Sequence, residues 1–297
     1  AFGRGGYTIT IETPDADHFP TVHRIVTNGF APNNVENSFA YQNRQVISYV
    51  NLNVGSPFDF GLFGDESVSM GGKAQTDSYN SNLAPYEPGG TNGDVGTNST
   101  EEGAISLDGN AIIGGDAIIG PGGDTTTGVT TGKNTIITGT KTAATAEKVL
   151  NPVEIPTNLI DQGNLVVEDQ TILSLAGGTY LYSSFSISGQ ARVNFTGPAT
   201  IYVTGAMSIS GQGVVTSDDL PPNLLFYVSG EEANVAFTGQ GKLYGAVYAP
   251  NAAISISGNG ELFGGVAGKS IAFSGSGNSP FMVHYDEALQ AGSAGVA

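Results

Sequence analysis

Three aspartates, Asp108, Asp116 and Asp124, recur every eight residues in a glycine-rich stretch that follows Glu101-Glu102. Calcium takes about six to eight oxygen ligands from carboxylates and carbonyls, and Gly-Asp turns stacked on adjacent rungs can supply both. The Gly-Gly-x-Gly-x-Asp nonapeptide of calcium-binding β-rolls is absent, however. Solvated turn aspartates carry the same spacing and are the plainer reading. Calcium on these three residues is the one cofactor to consider; otherwise none is expected.

Catalytic chemistry finds little footing. There is no cysteine, which excludes a thiolate nucleophile, a thiolate metal site and a disulfide framework. No Gly-x-Ser-x-Gly elbow occurs, and the three histidines, His18, His23 and His284, are far apart in the chain. His284-x-x-Glu287 could place two ligands on a helical turn, but it closes a strand-like run and has no partner motif. Polysaccharide cleavage in a β-helix groove needs clustered Asp with Arg, Lys or His. Only Arg192, Lys242 and Lys269 supply Lys or Arg after residue 150. The expectation is a protein that is not an enzyme.

The elements that would position any site are announced by one short phrase: apolar, small, apolar, small, glycine. It is written as Phe185-Ser186-Ile187-Ser188-Gly189, Met207-Ser208-Ile209-Ser210-Gly211, Val235-Ala236-Phe237-Thr238-Gly239, Ile254-Ser255-Ile256-Ser257-Gly258 and Ile271-Ala272-Phe273-Ser274-Gly275. Looser copies stand at Val68-Ser69-Met70-Gly71-Gly72 and Ile105-Ser106-Leu107-Asp108-Gly109. Apolar residues two apart share one face of a strand, and the glycine lets the chain turn. A unit this short cannot bury its own apolar face and must stack on copies of itself. The spacing therefore predicts an all-β, parallel β-solenoid, with Ile187, Ile209, Phe237, Ile256 and Phe273 as one inward core ladder.

The final glycines lie 22, 28, 19 and 17 residues apart, so a turn takes about 17 to 22 residues. The long interval contains an evident loop, Ser217-Asp218-Asp219-Leu220-Pro221-Pro222. By the same measure Gly72 to Gly109 is about two turns and Gly109 to Gly189 about four. A right-handed parallel β-helix suits such irregular spacing better than a strict hexapeptide helix. Gly109–Gly114 and Gly115–Gly120 do form a six-residue doublet, though a local hairpin would read the same. Residues 76–102, polar and proline-bearing, read as an excursion from the stack.

Residues 1–55 lack the repeat. Tyr7-Thr8-Ile9-Thr10-Ile11-Glu12 alternates cleanly between glycines and Pro14, and residues 22–26 and 45–54 read as two further strands. The predicted organisation is a small antiparallel strand region over 1–55, acting as cap or assembly region, a solenoid over 56–285 and a tail over 286–297. Tyr7, Ile9 and Ile11 share one face and are the candidate assembly residues.

Composition narrows the partners. The net charge is −17, with 15 acids against 4 bases in residues 61–180. Nucleic acid is excluded as a natural partner, since phosphate binding needs clustered Lys and Arg. The acidic surface resists aggregation or offers a face to cations. No run approaches the ~20 apolar residues of a membrane helix, and no secretory leader stands at Ala1, so a soluble, mature chain without membrane insertion is expected.

From about residue 56 the chain resembles the C-terminal solenoid domain of PilX-type, pilin-like bacterial surface proteins. The matching stretches are residues 67–72 with Thr76-Asp77-Ser78-Tyr79-Asn80-Ser81, residues 105–122, Gly241-Lys242-Leu243-Tyr244-Gly245-Ala246-Val247-Tyr248-Ala249-Pro250, and His284-Tyr285-Asp286-Glu287. Gly5-Gly6-Tyr7-Thr8-Ile9 looks like the segment after the membrane helix of those proteins, although that helix is missing here. The resemblance implies an extracellular, cell-surface structural protein that assembles head-to-tail with itself into a filament or sheath. The alternative is a pilus-associated adhesin binding surface carbohydrate or calcium.

Overall fold

The computed structural model describes residues 6–12, 22–31, 42–51, 56–216, 218–231, 233–276 and 280–292. Its contacts form two compact units, one within residues 1–55 and one over 56–294. In the first, Gly6–Glu12, Val22–Ala31 and Gln42–Asn51 make an antiparallel sheet with Val22–Ala31 in the centre. Tyr7, Ile9 and Ile11 stand on its edge strand and are 72%, 56% and 66% exposed. His23 lies in the central strand, and His18 falls outside the described residues.

The larger unit is a parallel β-solenoid in which a full turn contributes one strand to each of three faces. Asn164–Val167, Ser184–Ile187, Met207–Ile209 and Asn234–Phe237 open the first face. The second halves of Ala246–Gly258, Val266–Gly275 and Leu62–Gly72 continue it, followed by Ile105–Leu107 and Val129–Thr131. Strand alternation sends every second side chain inward. Val167, Ile187, Ile209, Phe237, Ile256, Phe273, Met70 and Leu107 therefore stand in register as one buried row. A second buried row runs beside it, from Phe185 through Met207, Val235, Ile254, Ile271, Val68 and Ile105 to Val129.

The rungs do not stack in sequence order. The chain enters at mid-stack with Leu62–Gly72 and Gln75–Tyr79, and winds to one end through Lys141–Ala143. It starts again at the other end with Asn164–Val167, and winds back until Val266–Gly275 and Met282–Asp286 close on Leu62–Gly72 and Gln75–Tyr79. First turn and last turn thus meet at a seam. Gly72 to Gly109 is one turn, not two, because Ser69 pairs directly with Ser106 and the surplus residues loop out. Gly109 to Gly189 holds the passage from one end of the stack to the other instead of four successive turns. The six-residue doublet is no hairpin: Ile112–Ile113 joins the third face, and Ala117–Ile119 the second, round a corner of the coil.

The middle of the second face is covered. Phe63, Leu225, Ala246, Tyr248 and Ala267 pack beneath Phe58, Leu289, Leu150 and Val153. Tyr248 donates its hydroxyl proton to the Asn151 carbonyl (2.6 Å), and Lys148 reaches the Ser56 carbonyl (2.7 Å) and the Asp59 carboxylate (2.8 Å). Asp286 ends the last strand, and a short helix, Leu289–Gly292, follows it.

Candidate functional site

The first face is open and uniform. Its outward central row runs Val166, Ser186, Ser208, Ala236, Ser255, Ala272, Ser69, Ser106, Thr130, each paired in register with the next. Every one of these side chains is exposed or half-buried. The row holds hydroxyls and methyls and no charge. At about 4.8 Å per rung, nine rungs extend over about 38 Å. A flanking row adds Ala253, Ser270 and Ser67 on three successive rungs, and Ser257 and Ser274 lie on the other side. Parallel pairing places like atoms at a constant interval, and the buried rows beneath fix the strands in register.

The third face differs in kind. Lys242, Glu261, Met282 and Gln75 share one outward row, and Tyr244, Phe263, His284 and Asp77 the next. Tyr244 stacks on Phe263 with centroids 4.4 Å apart, and Phe263 lies 4.5 Å from the His284 ring. His284 is almost wholly buried. Its Nδ1 meets the Asp77 carboxylate at 2.6 Å, and the Tyr86 hydroxyl donates to the other oxygen of Asp77, also at 2.6 Å. His284 Nε2 has no hydrogen-bond partner. A His–Asp pair of this form can orient a general base. Here it is shut away from solvent and clamps the last turn to the first and to the loop that carries Tyr86. Sequence reasoning missed it because Asp77 and His284 are 207 residues apart and meet only at the seam.

The three candidate metal ligands are not brought together. Asp108 accepts from the Gly109 amide, Asp116 from the Thr140 amide and hydroxyl, and Asp124 from the Thr126 amide at the start of a helical turn. Eight residues is about half a turn of this coil, so successive aspartates fall at different corners. Among the described residues, no three His, Cys, Asp or Glu side chains are grouped to hold a metal ion. No helix among those residues is long and apolar enough to cross a membrane.

Residues 164–291 match the family model of a domain of unknown function, DUF7305. No curated protein matches the sequence. Three solved structures are similar. An ice-binding protein from an Antarctic biological consortium is 16% identical, covering 78% of this chain and 90% of its own, at a TM-score of 0.45. The DUF3494 domain of Shewanella frigidimarina ice-binding protein 1 is 11% identical over 77% of this chain and 95% of its own, at 0.41. The ice-binding protein of the Antarctic ascomycete Antarctomyces psychrotrophicus is 17% identical over 78% and 98%, at 0.37.

These findings correct the expected kinship with PilX-type pilin-like proteins. With it fall the filament or sheath subunit, the head-to-tail homopolymer, and the adhesin that binds carbohydrate or calcium. The resemblance rested on small-apolar-glycine strands and Gly-Ala-Val corners, which any parallel solenoid needs to stack. Such residues report the architecture and leave the role open.

Proposed function

We propose that this protein binds ice, outside the cell, through its first face. The reading rests on one observation: nine in-register rungs whose outward central side chains are Ser, Ala, Thr and Val, with no charge among them. Exposed strands ordinarily carry long charged side chains, which hold their own hydration shells and keep soluble sheets apart. A row of short groups does neither. Serine and alanine have little side-chain freedom to lose, so their hydroxyls and methyls hold fixed positions. Water hydrogen-bonded to such an array inherits its spacing, and each ordered water costs at most about 2 kcal/mol. A crystalline partner turns many weak, regularly placed contacts into one adhesion, provided that the surface is rigid beforehand.

Thermal hysteresis and inhibition of ice recrystallisation measure the activity directly. Ser255→Tyr and Ala272→Tyr, at adjacent rungs in the middle of the row, raise a bulky ring above the plane and are expected to abolish both. Ser174→Tyr, on the third face, is expected to leave them intact. A folded Ser255→Tyr, Ala272→Tyr double variant with full activity would sink the reading.

A further inference from the structure

The third face carries a cavity of about 780 Å³, walled by the loop through Leu83, Pro85 and Tyr86 on one side and by Asp218, Asp219 and Leu220 on the other. Ligand sites commonly measure about 300–1,000 Å³. Its rings are Tyr79, Tyr86, Tyr244 and Phe263. Tyr79 and Tyr86 meet Phe263 edge-on, at 6.2 and 5.4 Å.

The charges on the walls do not cancel. Three carboxylates, Asp218, Asp219 and Glu261, face one ammonium, Lys242. Lys242 is engaged by Glu261 at 2.5 Å. Asp218 is engaged within its own loop by the Thr216 hydroxyl and the Asn223 amide, both at 2.7 Å. Asp219 is exposed, at φ 53°, on the rim of the cavity. An aromatic-walled space with surplus negative charge favours a cation, because ring faces and carboxylate attract it together. Lys242 already shows the arrangement in miniature: its Nζ is bound to Glu261 and lies 5.5 Å from the centroid of Phe263. A bare metal ion would need clustered oxygen ligands, and no such group occurs among the described residues. The rings and the volume ask for an organic ion.

We propose that this cavity binds a small alkylated ammonium compound, with its cationic head between the tyrosine rings and the Asp219 carboxylate. The site is separate from the first face and does not depend on the ice-binding reading.

Choline is the probe, and 3,3-dimethylbutan-1-ol, which has the same shape without the charge, is its control. Calorimetry measures binding, and tyrosine fluorescence is the second measurement, since three of the 12 tyrosines line the cavity and the chain has no tryptophan. Choline is expected to bind saturably, and the neutral analogue about tenfold more weakly or worse. Asp219→Asn, on an exposed loop, is expected to weaken choline by about tenfold at an unchanged melting temperature. Tyr244→Leu, which also removes the stack on Phe263, is expected to weaken choline by a similar factor. Equal binding of the two probes, no saturation at millimolar choline, or an Asp219→Asn variant that binds like the parent would each overturn the proposal.

Discussion

Phe237 shows what a single position carries. It is 3% exposed, stands between Ile209 and Ile256 in the inward row, and is one of the larger side chains there. Phe237→Asp puts an unpaired carboxylate where no partner and little water can reach. The expected loss is several kcal/mol, about 4 or more, read as a lower urea midpoint. A variant that unfolds like the parent would mean that the row is not packed as described. Asp116 makes the opposite point. Its carboxylate is spent on the Thr140 amide and hydroxyl, tying one corner of the coil to the next rung, so a residue that looked like a ligand works as a local brace.

The repeating strand owes its shape to the glycine that ends it. Gly258 sits at φ 107°, in a region closed to most side chains, and a Cβ there would come within 2.5 Å of the Gly239 carbonyl on the adjacent rung. Gly239 itself has φ 95°. From Gly239 through Gly258, Gly275 and Gly72 to Gly109 this corner is stacked glycine on glycine, whereas Gly189 lies against Asp169. Gly258→Ala is expected to cost about 2 kcal/mol or more, from backbone strain and the displaced neighbour together. Thermal melts of the purified variant measure it; an unchanged melting temperature would show that the corner can relax. On the outer side the same strands carry serine and alanine between the buried positions.

At the scale of the molecule, the buried tyrosines make stability depend on alkali. Burial, and then the neighbouring Tyr202, push the Tyr227 phenol from 10.0 up to about 12. Burial is also the leading cause of the upward shift at Tyr202, Tyr248 and Tyr285. A folded-state pKa above the unfolded one gives stability that is complete below pH 10 and lost as pH rises through about 12. The melting temperature is therefore expected to drop over that interval, in step with tyrosinate absorbance. A flat profile through pH 12 would mean that these phenols ionise as freely in the fold as out of it. The seam adds a kinetic feature. Gly72 pairs with Gly275, so the last turn must find the first across most of the chain. Long-range pairing of this kind makes folding slow.

Much of the rung is written in the sequence alone. Alternation is local, so Ile187, Ile209, Phe237, Ile256 and Phe273 could be assigned one side of a strand without knowing the neighbouring strand. The serines and alanines between them fall to the other side by the same rule. The two excursions that wall the third-face cavity were visible in part, as polar, proline-bearing breaks in the repeat, but the first is shorter than residues 76–102, because residues 75–79 and 95–96 pair within the stack. Which rung lies beside which was not. Parallel strands pair through backbone groups that every residue carries, so one rung fits against another almost regardless of sequence. The order is settled only when the whole chain buries its apolar rows at once. That global choice puts residues 62–143 beyond residue 275, lines up the nine outward rungs in one continuous row, and brings His284 to Asp77. It also decides which rings and carboxylates of distant loops share a cavity. The local code made the rungs, and three-dimensional closure made both candidate surfaces.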